Sequence, residues 1–208
     1  MAPVATRKLG IVLIASGVLV YLVPILFSLV AGEAAVLAYR PAVGMACSIA
    51  WAAVVAWVAL TLWQTARGLP GARLLLAATV AYGAQGLLLT VLLASGMASV
   101  SSRVESWTSW VIILVDASAI LLLSLGLKKT RVVGRWLLSL GLAVSIFTAV
   151  FALLGLAIRT GHVASELQGA SILVGLLLYG VLTAAFWIAL SLALFTGSRP
   201  TPEVAVAT

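Results

Sequence analysis

Residues 107–127, WTSWVIILVDASAILLLSLGL, form an apolar run broken by one charged side chain, Asp116, and ending against Lys128-Lys129. An α-helix rises about 1.5 Å per residue, so roughly 20 apolar residues reach across the ~30 Å hydrocarbon core of a bilayer. The stretch therefore reads as a transmembrane helix. Outward from it in both directions lie five more runs of the same kind, near residues 9–31, 42–64, 74–97, 136–158 and 171–196. The composition of the whole chain agrees: 208 residues, 64% hydrophobic and 8% charged, against about 25% charged in soluble domains. The sequence predicts an all-α integral membrane protein of six transmembrane helices, forming a single polytopic membrane domain over residues 1–208.

The first run, from Gly10 to Ala31, exceeds the 7–15-residue apolar core of a cleavable signal peptide and is read as a retained helix. Short connections carry the breakers and charges: Pro41 after Arg40, the Gly68-Leu69-Pro70-Gly71 turn, residues 99–106, Lys128 to Arg135, and Thr160-Gly161-His162. Lys and Arg in short loops stay on the cytoplasmic side. With the N-terminus inside, Arg7, Lys8, Arg67, Arg73, Lys128, Lys129, Arg131, Arg135 and Arg199 fall inside and Arg40, Arg103 and Arg159 outside, nine against three. That asymmetry predicts a multi-pass protein of the cell membrane with both termini cytoplasmic. Glu33, Glu105 and Glu166 fall one in each outer connection, and Arg7, Arg73 and Arg135 open successive hairpins, so the chain can be read as three helical hairpins in series.

The net charge of +7 comes from these scattered clusters and not from a basic stripe interleaved with aromatics, which argues against a nucleic-acid partner. One cysteine, Cys47, and one histidine, His162, exclude an intramolecular disulfide, a C-x-x-C pair and an H-E-x-x-H zinc motif. No nucleophile elbow or phosphate-binding glycine loop is present, and no cofactor is indicated. His162 and Glu166, four residues apart, read as a solvated loop pair.

Helices in lipid associate through close backbone approach and interhelical hydrogen bonds. Small residues therefore mark expected seams: Ala52, Ala56 and Ala59 with Ala46, Ala50 and Ala53 beside them, then Ala81, Gly83, Ala84 and Gly86, then Gly175, Gly180, Ala184 and Ala185. Trp63, Trp107, Trp110 and Trp136 lie near helix ends and fit an interfacial aromatic belt. Trp51, Trp57 and Trp187 lie deeper and are expected to face other helices, because each indole N–H needs a partner. Pro24 interrupts the hydrogen-bond ladder of the first helix.

Asp116 is the feature that bears on function. A carboxyl group at mid-membrane costs about 2.5–3.5 kcal/mol to insert on translocon scales, so it should face the bundle interior. No Lys, Arg or His stands at its depth in another helix. It is therefore expected to hold a proton or to take up a cation transiently. Tyr21, Ser48, Tyr82, Gln85, Thr148, Tyr179 and Thr183 lie at similar depth, with Tyr179 and Thr183 one turn apart and Tyr82 close to Gln85. Asp116, Gln85, Tyr82, Tyr179, Thr183 and Tyr21 make the candidate site for a proton, cation or small solute. The first function class is a small transporter, channel or channel subunit using Asp116. The second is a non-catalytic subunit packed on a membrane partner chain or on a second copy, and an intramembrane enzyme comes third.

Overall fold

The computed structural model describes residues 3–31, 33–95, 107–130, 133–160 and 168–196. Six helices account for nearly all of them: α1 (Pro3–Val30), α2 (Glu33–Thr65), α3 (Ala72–Ala94), α4 (Trp107–Lys129), α5 (Arg135–Arg159) and α6 (Gln168–Thr196). Each is long and apolar enough to cross a membrane, and the protein is an all-α, multi-pass membrane bundle. Glu105, Arg103, Arg131, the His162–Glu166 pair and Arg199 lie outside the described residues.

The largest departure from the expected boundaries is at α2. Pro41 was expected in a connection, yet the helix runs unbroken from Glu33 through it. A helix can carry a proline where neighbouring groups re-satisfy the freed carbonyl. In the same way α1 continues through Pro24 to Val30. The turn after α2 is as short as expected. Gly68 and Gly71 adopt φ of +87° and +97°, a left-handed conformation that glycine takes without steric penalty.

Each helix packs on its neighbours in the chain, and α6 returns to α1, closing a ring. The most extensive pairings are α2 with α3 and α4 with α5. Those pairs straddle the three hairpins read from the sequence. Arg7, Lys8, Arg67, Arg73, Lys128, Lys129 and Arg135 cluster where the α2–α3 and α4–α5 turns lie, forming a basic end of the bundle. Arg7 lies over the Phe195 ring at 4.9 Å and Arg67 over the Trp63 ring at 4.3 Å, so these cations cover apolar rings while their heads reach the interface.

The main core fills the basic-end half and draws on every helix: Leu9 and Leu13 from α1, Leu62 from α2, Leu75 from α3, Leu123 and Leu127 from α4, Leu137 from α5, Leu190 and Leu194 from α6. Glycines make this closure possible. A Cβ on Gly10 would meet the backbone of Phe195 at 2.6 Å and of Ser191 at 2.7 Å, so α1 and α6 touch main chain to main chain. On Gly126 it would meet Leu75 at 2.8 Å, and on Gly141 it would collide with Ser124 and Phe186.

The opposite half is built differently. A small cluster of Met45, Leu89, Leu92 and Ile112 joins α2, α3 and α4. On the far side, Trp110 packs edge-on against Phe151, ring centroids 5.5 Å apart, and lies directly over Gly155, while Phe151 lies over Gly175. Those contacts tie α4, α5 and α6. Neither of them reaches α1.

Several expectations about faces are corrected. Ala52 and Ala59 are buried, but Ala46, Ala50 and Ala53 are exposed on the outer surface of the bundle. Gly83 has open space beside it. Trp57 is half exposed, whereas Trp110, assigned to the interfacial belt, is buried. Of the expected seam residues, Gly86 packs on Ala52 and Gly175 on Phe151, whereas the tight glycines at 10, 126, 141 and 155 fall outside the expected seams.

Candidate functional site: a cavity headed by Asp116

Asp116 sits near the middle of α4 and is 4% exposed. Its two carboxyl oxygens accept from two different helices: the Gln85 side-chain amide on α3 donates to Oδ1 at 3.3 Å, and the Tyr179 hydroxyl on α6 donates to Oδ2 at 2.8 Å. The Tyr179 bond is the stronger of the two by length. Together they tie α4 to α3 and α6 at one depth. By contrast, Ser48, Thr79, Ser124, Ser145 and Ser191 donate to the carbonyl four residues back in their own helices. Those hydroxyls satisfy themselves locally and do not bridge helices.

Beside this carboxyl lies a cavity of about 630 Å³. Asp116, Gln85, Tyr179, Thr183 and Ser48 give it a polar floor, and Trp51 and Trp187 wall it with rings held edge-to-face at 5.4 Å. Apart from Ser191, whose hydroxyl is bonded to the Trp187 carbonyl, the rest is small or aliphatic, contributed mainly by α1 and α6. The cavity lies along the α1–α6 seam, lined from Leu13 to Leu22 and from Gly180 to Leu192, and begins next to the point where Gly10 meets Ser191 and Phe195. It is open on that side. Ile14, Val18 and Leu22 of α1 and Ile188 and Leu192 of α6 line it and are themselves exposed on the bundle's flank.

The six candidate residues fare unequally. Asp116, Gln85, Tyr179 and Thr183 come together on the cavity wall. Thr183 Oγ1 is buried and finds no hydrogen-bond partner among the described residues. Tyr82 is buried behind the wall, its ring 5.8 Å from that of Trp187 and within electrostatic reach of Asp116 and Tyr179, and its hydroxyl likewise has no partner. The α1 backbone carries Tyr21 between two wall residues, Val20 and Leu22, but its side chain lies outside the described residues. Thr148, at the expected depth, is buried on α5, which supplies nothing to the wall. Trp51 and Trp187 were read as packing residues and not as part of a site. Their depth in the chain next to Ser48 and Thr183 was the available signal.

Among the described residues no three His, Cys, Asp or Glu side chains gather as a metal site would need. The titratable groups near Asp116 among them are the two tyrosines. The arrangement supplies one carboxyl, a hydroxyl and an amide bound to it, and aromatic walls, in a recess between helices. No family model, no curated protein and no solved structure matches this chain.

Proposed function

We propose that this membrane protein is a small transporter or channel that moves a proton, a cation or a small solute by way of Asp116. The observation that carries the reading is that Asp116, besides its bonds to Gln85 and Tyr179, lines a cavity of about 630 Å³. A carboxyl kept only as structural glue needs its two partners, Gln85 and Tyr179, and no space beside them. Sites of this kind, at mid-depth between helices, are where membrane carriers bind what they carry, and an intramembrane acid is a group that can take up and release a proton. The basic end faces the cytoplasm in this reading, with both termini on that side, in accord with the distribution of Lys and Arg. Purified protein in liposomes is expected to pass protons or monovalent cations at a rate that varies with pH, and Asp116→Asn is expected to abolish that dependence while the bundle stays folded. Unchanged flux against pH in the folded variant would favour a non-catalytic membrane subunit instead.

A further inference from the structure

We infer that the cavity takes a protonated amine with an apolar body, entering sideways from the bilayer between α1 and α6. This rests on the reading that Asp116 faces a ligand, and it names the ligand's chemistry.

Charge comes first. Among the described residues, Asp116 is the one carboxyl on the wall and no Lys, Arg or His lines the cavity. An anionic head such as a phosphate or carboxylate would meet a carboxyl with no compensating cation, in a setting where an unpaired charge is costly. A cationic head meets its counter-charge.

Hydrogen bonding points the same way. Gln85 and Tyr179 already donate to Asp116, and Ser48 donates its proton to the Gly44 carbonyl at 3.0 Å. What the floor has left is mostly acceptor capacity: the remaining lone pairs of the two Asp116 oxygens, the Gln85 carbonyl oxygen and the Ser48 hydroxyl oxygen, with the Thr183 hydroxyl able to accept or donate and one Gln85 N–H left to donate. A head that donates several hydrogen bonds and accepts none fits that floor. An ammonium group is such a head.

The walls complete the match. Trp51, Trp187 and Tyr179 offer aromatic surface beside the carboxyl, and cations are attracted to ring faces, most of all those of Trp. Beyond them Leu13, Val18, Leu89 and Ile188 make an aliphatic sleeve. At about 630 Å³ the space falls within the ~300–1,000 Å³ typical of small-molecule sites. A bare metal ion would find a single carboxyl and would leave the sleeve without a purpose. The open rim decides the route. Val18 is 49% and Ile188 61% exposed, on a flank that faces hydrocarbon, so a molecule already partitioned into lipid reaches Asp116 without crossing the packed basic end.

Three probes with closely matched apolar bodies separate head chemistry from hydrophobic partitioning: 4-phenylbutylamine, 4-phenylbutanol and 5-phenylpentanoate. Binding is read by tryptophan fluorescence of the full chain in lipid nanodiscs, with empty nanodiscs as the partition control. The amine is expected to bind at least about tenfold more tightly than the alcohol or the carboxylate, as expected for a charge pair out of water. Asp116→Asn should erase that preference and leave the alcohol's binding in place. Gly180→Leu, which grows a side chain where a Cβ has free space on the cavity wall, should weaken amine and alcohol alike. Equal or tighter binding of the carboxylate, or an amine preference that survives Asp116→Asn, would overturn the inference. Selective amine binding in a protein whose flux ignores pH would defeat the transport reading and leave the ligand class standing. An Asp116-dependent flux without amine preference would do the reverse.

Discussion

The two halves of this bundle use the same residue types to opposite effect. At the basic end, glycine lets α1 and α6 touch at Gly10 and lets α3, α4, α5 and α6 close around Gly126 and Gly141. In the other half Gly155 and Gly175 are still covered, by Trp110 and Phe151, but Gly180 and Gly83 have open space beside them, and a cavity runs along the α1–α6 seam. A small residue in a membrane helix thus means close approach only where a neighbour comes to meet it. Where the neighbour diverges, the same residue leaves room. The bundle is held shut at its basic end by backbone contact and carries a cavity beside Asp116 near its middle.

One substitution made in both halves gives the largest predicted contrast. Gly10→Leu forces a side chain into the backbone of α6 and should cost about 1–3 kcal/mol or more, as overpacking of a tight core does. Gly180→Leu should change stability by no more than about 0.5 kcal/mol, as substitutions away from packed features do. Thermal unfolding in one detergent checks both. Equal losses would mean that the α1–α6 seam is closed along its length.

A smaller effect is expected at the carboxyl. Asp116→Leu removes both interhelical bonds, and intramembrane hydrogen bonds average about 0.6 kcal/mol each in direct measurements, so roughly 1 kcal/mol should be lost. Asp116→Asn keeps an acceptor for Tyr179 and should melt close to the parent protein. Tyr179→Phe deletes the 2.8 Å bond and leaves the Gln85 bond in place, and should lose about half as much as Asp116→Leu. If Tyr179→Phe and Asp116→Leu melt alike, the Gln85 bond at 3.3 Å contributes nothing.

Much of this was legible in the sequence, for a physical reason that also marks where legibility stopped. Spanning length and low charge define helices in lipid, so all six runs were readable and most helix ends fell within a few residues; α2 ran on through Pro41 because proline at a membrane helix can be accommodated. Asp116 stood out by its cost, and Gln85 and Tyr179 by sharing its depth. Which way each helix turns was not readable. In water a polar face betrays the buried one, whereas in a bilayer both the core and the lipid are apolar and no such stripe is required. Trp57 and Trp187 look alike in the chain, yet one faces outward and the other is buried on the cavity wall. Gly10 and Gly180 differ only in what lies opposite them. The site's polar floor could be guessed from depth, but the cavity beside it depends on how α1 and α6 are turned toward each other, which no residue in either helix announces.

The claim that Asp116 stands open to the membrane can be tested by chemistry at the carboxyl itself. Dicyclohexylcarbodiimide dissolves in lipid and reacts with protonated carboxyl groups, so treatment of the folded protein in membranes, followed by mass mapping of the 107–127 segment, reports whether the reagent reaches Asp116. The open cavity predicts an adduct on Asp116 in the native bundle, reduced by Gly180→Leu. An Asp116 that stays unmodified in the folded protein and reacts only after denaturation would show it to be sealed, and would contradict the account.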